Sequence, residues 1–203
     1  LTGQTSAELF EDTEYETFPL HSVSKILKKL KQDGVSHVVL AGKVRRTNLS
    51  KLLLDLKGAK LLANIMRGGI NDNSILATIL AFFEKEGFTI LPPEQVAEDI
   101  IVKQGYLTRI KPDEAGWEDI QKGINILRGI AQYDVGQALV IQEGLILGVE
   151  AAEGTDLLIK RCGDIQQKEG RGALLIKIAK PTQDTRVDLP CIGKHTIEMM
   201  HKN

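Results

Sequence analysis

Apolar residues recur along this chain in two periods, and the switches between them mark its elements. From His21 to Gln32, Val23, Ile26, Leu27 and Leu30 fall at helical spacing, with Ser22 placed to cap and Gly34 to stop. Val35 to Ala41 is a short apolar run ending in Gly42, which predicts a buried strand. Residues 49–66 read as helical pieces broken at Gly58. Asn73 to Glu86 carries one stripe, Ile75, Leu76, Ile79, Leu80 and Phe83, and predicts a helix. Phe88 to Leu91 reads as a strand closed by Pro92-Pro93. Pro112 precedes a long helix over about Glu114 to Gln132, with Trp117, Ile120, Ile124 and Leu127 inward. Beyond it the period shortens. Ala138 to Gln142 and Leu145 to Ala151 are β-like runs joined through Glu143-Gly144, a hairpin signal. Glu153 to Arg161 predicts a short helix, residues 163–172 are polar, and Ala173 to Ala179 predicts another strand. Residues 1–19 are polar and acidic and read as irregular, and 97–107 shows no clear period.

Helix–loop–strand order predicts an α/β protein. The pattern divides near Lys111–Glu114 into two small α/β domains. One is a Rossmann-like N-terminal domain, residues 1–111, with a parallel sheet; the other is a C-terminal domain, residues 112–203, with a mixed sheet. A length of 203 residues suits that division. Hydrophobic content of 42% and charged content of 26% are those of a soluble globular chain. The net charge of -1 gives no global steering toward nucleic acid, and aromatics at 4% disfavour base stacking as the main activity. Lys43, Arg45 and Arg46 are too few to reverse that. Cys162 and Cys191 stand far apart, form no metal or disulfide spacing, and fit a reducing cytoplasm. No segment approaches the ~18–20 apolar residues of a membrane span. The chain opens Leu1-Thr-Gly-Gln with no signal-peptide pattern, and both ends read as cut.

Chemistry concentrates between Lys180 and Gly193. There Asp184 and Asp188 flank Arg186, between Pro181 and Pro190. Prolines exclude a central strand, so the tract is a shaped loop or an edge. In an extended backbone Asp184, Arg186 and Asp188 alternate and face one way. Carboxylates interleaved with cations, Lys180 included, can hold a hard divalent cation and grip phosphate oxygens together. A self-neutralising solvated loop is the plainer reading of the charges alone.

A second segment, Glu150-Ala-Ala-Glu-Gly-Thr-Asp156, follows a strand and opens a helix. Gly154 permits unusual φ, and Thr155 or Asp156 can cap. Helix-start amides favour phosphate, whereas three acidic residues repel it unless a cation intervenes. Gly42-Lys43, at the carboxyl end of the first predicted strand, is positioned to receive an anion. Arg67 to Asn73 reads as a helix cap. No dinucleotide or P-loop glycine fingerprint, zinc pattern or nucleophile elbow occurs. Of the four histidines only His195 adjoins the tract, and it reads as a surface residue.

These residues together resemble a known family. Gly136-Gln137, Glu143-Gly144, Val149-Glu-Ala, Glu153-Gly-Thr-Asp156, Lys180-Pro181, Gln183 and Arg186-Val-Asp-Leu-Pro190-Cys-Ile-Gly193 are similar to motifs of the LpxI-type UDP-2,3-diacylglucosamine pyrophosphatases. Ala41-Gly42-Lys43-Val44 and Phe83-Glu-Lys-Glu-Gly-Phe88 extend the resemblance over nearly the whole chain. It implies a bacterial hydrolase of lipid A biosynthesis that splits UDP-2,3-diacylglucosamine into UMP and 2,3-diacylglucosamine 1-phosphate with Mg²⁺. It implies two α/β domains, a homodimer, and work at the cytoplasmic face of the inner membrane in contact with lipid. The family's catalytic aspartate, in Arg-x-Asp-x-Pro, corresponds to Asp188. Family members also begin with a strand and a glycine-rich loop ahead of the position of Leu1 and continue past the final helix. About one strand–helix unit is therefore expected to be lacking at each end. Where relatives show Gly-Asp-Asp, this chain has Asn71-Asp-Asn73, one carboxylate fewer.

The expected site follows. Asp188 and Asp184 are metal ligands, with Asp188 as general base in second place, because ordinary aspartates, with a pKa of about 3.9, are weak bases toward water. Arg186 and Lys180 neutralise phosphate charge. Gln183, Gly154, Thr155, Asp156, Gly42 and Lys43 bind substrate. The alternative is a truncated, non-enzymatic remnant that binds a UDP-sugar or lipid, or serves as a partner subunit.

Overall fold

Helix α1 (Val23–Gln32) forms where the apolar stripe predicts it. The computed structural model describes residues 14–19, 21–42, 55–68, 72–181, 183, 184 and 186–203. They belong to two compact units, Leu1–Ile101 and Val102–Asn203. Residues 101–113 have no helix or strand, and the expected boundary near Lys111–Glu114 lies at the end of this stretch.

In the N-terminal unit Ser22 stands at the N-cap of α1, where its carbonyl oxygen accepts from the amides of Lys25 and Ile26 while its hydroxyl makes no cap bond. Gly34, at φ +70°, ends the helix in the left-handed region, and Val35 N donates back to Leu30 O at 2.9 Å. The predicted strands are short. β1 (His37–Val38) and β2 (Thr89–Ile90) pair in parallel. Between them run α2 (Leu56–Gly68) and α3 (Asp72–Lys85). Gly58 does not break α2. It sits in the first turn, where its amide donates to Asp55 Oδ1 at 2.8 Å, so the position reads as a capped helix start. The core of this unit is Leu27, Phe82 and Phe88, with Phe82, not the predicted Phe83, the more deeply buried of that pair.

In the C-terminal unit α4 (Glu114–Ile130) leads into a three-stranded sheet ordered β4-β3-β5. Its strands are β3 (Ala138–Gln142), β4 (Leu145–Val149) and β5 (Leu174–Lys177). Both pairings among the described strands of this unit are antiparallel, where a mixed sheet was expected. The hairpin forms as predicted, with Glu143 at φ 47° and Gly144 at φ 80°, the positive pair a two-residue turn requires. Every residue of β3 is buried because helices cover both faces. Leu139 and Ile141 pack with Leu127 of α4 and Ile176, while Ala138 and Val140 pack with Leu158 and Cys162 of α5 (Thr155–Gly163). Helix α6 (Lys194–Lys202) lies against α5.

The buried line of α4 is Gly116, Asp119, Gly123 and Leu127, and Trp117 is exposed, contrary to the predicted stripe. The reason is close approach. A Cβ at Gly123 would stand 2.3 Å from Ile176 Cδ1, so the smallest residue occupies the nearest contact and larger ones flank it.

Candidate active site

The antiparallel order brings the start of β3 and the ends of β4 and β5 to one edge of the sheet. Residues 134–137, 150–155 and the described residues of 177–191 therefore meet there, although they are far apart in sequence. Gly136 makes this approach possible: a Cβ would fall 2.0 Å from the Glu150 carbonyl oxygen. Glu150 N donates to Ala138 O at 2.8 Å. Its buried carboxylate accepts from Gln137 N at 3.0 Å and from Thr155 Oγ1 at 2.6 Å. Lys177 Nζ, reaching from the end of β5, lies 3.1 Å from Thr155 Oγ1 and donates to Cys191 O at 3.0 Å. A carboxylate, a hydroxyl and an ammonium thus form one chain of hydrogen bonds. That chain pins the far end of the Lys180–Gly193 tract to the start of α5.

The near end of the tract is pinned separately. Lys180 Nζ donates to Asp134 Oδ1 at 2.5 Å. Gln183 is buried, its side-chain oxygen accepts from Lys180 N at 3.0 Å, and its backbone N–H donates to Lys180 O at 3.0 Å. Gln183 therefore fastens the loop from inside. Between these anchors the backbone is not extended. The amides of Val187 and Asp188 both donate to Asp184 O at 3.1 Å, which makes a single helical turn. The alternation expected for Asp184, Arg186 and Asp188 is absent, because an i to i+4 bond closes the segment; residues 184 and 188 instead share one side of the turn.

Arg186 folds onto Asp184 as a fork, with Nε 3.0 Å from Oδ1 and an Nη 2.7 Å from Oδ2. The guanidinium holds the Asp184 carboxyl below the ordinary carboxylate range, against the opposing effect of burial. The partly buried Asp188 carboxylate makes no hydrogen bond or ion pair with any described residue. Of the two aspartates, one is committed to an arginine and the other has no partner among the described residues.

Gly154, at φ +81°, occupies the N-cap of α5, as its residue type predicts. Asp156 points outward, with His195 Nε2 3.7 Å from its Oδ2. Glu153 stays with the helix start: its own backbone amide and Arg161 hold its carboxyl below the usual range. Gly42 belongs to the N-terminal unit, where its φ is +94°. Lys43, Arg45, Arg46 and Asn71 lie outside the described residues. Sequence reasoning missed Lys177 and the anchoring roles of Glu150 and Asp134. Lys177 sits inside an apolar run, Leu174-Leu-Ile-Lys-Ile-Ala179, and a charge at a strand end was the only signal.

The other edge of the sheet holds a second polar cluster. Asp119, buried, accepts from Gly144 N at 2.7 Å and from Arg171 at 2.8 Å. Arg171 also reaches Asp113 at 2.9 Å, and the buried Gln142 donates to Gln167 O and Arg171 O. These bonds join the hairpin to α4 and the 163–173 loop.

Comparison with known proteins places both units. Residues 1–100 match the model of the LpxI N-terminal domain, and residues 103–203 that of the LpxI C-terminal domain. The chain is 37% identical over 199 residues to the UDP-2,3-diacylglucosamine pyrophosphatase LpxI of Caulobacter vibrioides (strain ATCC 19089 / CIP 103742 / CB 15), covering 93% of this chain and 71% of that protein. The chain belongs to the LpxI family.

Proposed function

We propose that this protein hydrolyses the pyrophosphate bond of UDP-2,3-diacylglucosamine, giving UMP and 2,3-diacylglucosamine 1-phosphate, a step of lipid A biosynthesis. The relative in Caulobacter bears that activity in its name. The observation that carries the reading is the turn at 184–188. It presents an uncommitted carboxylate, Asp188, beside an arginine already oriented by Asp184. Water adds to one phosphorus, the bridging P–O bond breaks, and two phosphate monoesters leave. Charge develops on the bridging and non-bridging oxygens, and cations held in place beforehand stabilise it best. Arg186, Lys180 and Lys177 bring that charge to one sheet edge. Asp188 orients the attacking water, with acceptance of its proton as its second role. Thr155 and the start of α5 face the same edge, and Gly154 leaves room for a phosphate there.

The residues fit Mg²⁺ as a site with one protein carboxylate. Magnesium commonly takes one or two carboxylates and completes its shell with phosphate oxygens and water. Asp188 would hold it; Asp184 would not, since both its oxygens face Arg186. When bound, the metal supplies positive charge against the pyrophosphate oxygens. The reading extends to a homodimer working at the cytoplasmic face of the inner membrane.

The test is UMP release from UDP-2,3-diacylglucosamine in detergent micelles, with MgCl₂ or with EDTA. Wild type should release UMP only with metal. Asp188→Ala should lose turnover by about a thousandfold, a loss of the size seen when one key electrostatic group is removed, while calorimetric substrate affinity stays within a few-fold. Full turnover in that variant would remove the mechanism. Tight substrate binding by wild type without any hydrolysis would make the protein a binding remnant.

A further inference from the structure

Cations beside carboxylates ordinarily pair with them directly. At the sheet edge that carries the candidate site, Lys180 pairs with Asp134 and Arg186 with Asp184. Lys177 differs. Its contacts among the described residues are the Thr155 hydroxyl at 3.1 Å and the Cys191 carbonyl oxygen at 3.0 Å, both neutral. The buried Glu150 carboxylate stands one hydrogen bond further on, with its Oε1 2.6 Å from Thr155 Oγ1. All of these residues belong to one unit.

Proton supply fixes the direction of each bond. An ammonium has N–H donors and no acceptor, so Thr155 Oγ1 accepts from Lys177. A hydroxyl has a single proton, and that of Thr155 goes to Glu150 Oε1. Glu150 is itself held, because its Oε2 accepts from Gln137 N at 3.0 Å. Thr155 therefore has no proton left for a phosphate oxygen. Lys177 has one N–H beyond those given to Thr155 and Cys191, with no acceptor among the described residues.

We propose that Glu150 is a positioning residue: through Thr155 it aims Lys177 at the pyrophosphate, and the intervening hydroxyl keeps the ammonium charge uncancelled. This rests on the hydrolase reading and names what orients one of its cations. A direct Glu150–Lys177 pair would hold the ammonium as firmly, but would offset the charge that developing phosphate oxygens require. The threonine separates orientation from neutralisation.

The experiment compares Glu150→Gln, Thr155→Ser, Thr155→Ala and the double variant Glu150→Gln with Thr155→Ala. Three quantities are read on the full chain: kcat/KM for UMP release in micelles, calorimetric affinity for UDP as a pyrophosphate probe, and Trp117 fluorescence in urea. Glu150→Gln and Thr155→Ala should each lower kcat/KM and UDP affinity about tenfold, the worth of one hydrogen bond to a charged group. Thr155→Ser keeps the hydroxyl and should stay within about twofold of wild type. In Thr155→Ala the ammonium can close directly on Glu150, so adding Glu150→Gln should do no further harm. Losses that multiply to about a hundredfold in the double variant overturn the proposal, as does wild-type behaviour of Glu150→Gln. Losses that merely track the urea midpoints across the set also overturn it, because they describe a structural bond. Wild type that binds UDP with the expected pattern but releases no UMP removes the enzyme and leaves the positioning role. Hydrolysis by wild type with multiplying losses does the reverse. Neither UDP binding nor hydrolysis by wild type overturns both.

Discussion

Gly136 is where the fold and the candidate site depend on one missing side chain. A methyl group there would stand 2.0 Å from the Glu150 carbonyl oxygen and 2.7 Å from its carbon, against an ordinary contact of 3.4–4 Å. Both neighbours are backbone atoms, so no rotamer change relieves the clash, and the strands must part by more than an ångström. Overpacking of this kind costs ~1–3 kcal/mol. The shift also weakens the Glu150 bonds to Ala138, Gln137 and Thr155, each worth about 1 kcal/mol. Gly136→Ala should therefore destabilise the C-terminal unit by about 2–4 kcal/mol. Trp117 is the single tryptophan and lies in that unit, so its fluorescence during urea unfolding reads the effect. Gly129→Ala is the control. Gly129 sits in the last turn of α4 with nothing within 4 Å of its added Cβ, and the change should stabilise by about 0.5 kcal/mol. At temperatures where Gly136→Ala stays folded, its UMP release should still fall, because Thr155 and Lys177 lose their anchor. A Gly136→Ala midpoint within about 0.5 kcal/mol of wild type would refute the close-approach argument.

Other outcomes follow from the same geometry. Asp119→Ala removes the acceptor of Gly144 N and one of two carboxylates on Arg171, which keeps Asp113, and should cost about 2–3 kcal/mol in urea, with unchanged hydrolysis per folded molecule. Lys177→Met should lower kcat/KM about ten- to a hundredfold while Trp117-monitored stability changes little. Asp184 is depressed by Arg186, so its contribution to stability is complete at neutral pH and is lost as pH falls below about 4 toward its folded value. Asp184→Asn should flatten the acid side of the melting-temperature profile, and an unchanged profile would deny the pairing. In the N-terminal unit, burial alone would raise Asp55, but the amides of Gly58 and Ser24 outweigh it, and Asp55→Ala should lower the stability of that unit by about 1 kcal/mol in a circular-dichroism melt.

The elements most legible in the sequence were those set by local rules. Helix α1 and the Glu143-Gly144 hairpin follow from a repeated stripe and from residues that tolerate positive φ. Short-range reading failed where tertiary packing decides. The 184–188 turn looks extended because alternation is the simplest pattern for Asp-Thr-Arg-Val-Asp, yet the turn forms between anchors at Asp134, Gln183 and Cys191 that sequence cannot bring together. Trp117 looks inward because it is large and apolar, whereas glycines set how close α4 comes to the sheet. Lys177 was overlooked, and Glu150 was named without its anchoring role, for one reason. A charged residue beside an apolar strand reads as the strand's end, and only the fold reveals that both ends belong to one cluster.

The two polar clusters of the C-terminal unit differ in a way that separates structure from chemistry. At the hairpin edge, Asp119, Gln142 and Arg171 bind backbone groups and one another, and each bond ties one loop to another. Such a cluster lowers the cost of burying polar groups, and it leaves one buried donor, Arg171 Nε, without a partner among the described residues. At the opposite edge the bonds also fasten loops, but two acceptors remain over. The buried side-chain oxygen of Gln137 has no partner among the described residues, and the Asp188 carboxylate has none either. Three lysines and arginines stand along this edge. Lys177 and Lys180 are fixed by oxygen partners, and Arg186 is fixed by Asp184. On the proposed reading a pyrophosphate and a hydrated cation would complete these fixed cations and the carboxylate among them, and the loop bonds at 180, 183 and 191 hold the side chains in place beforehand.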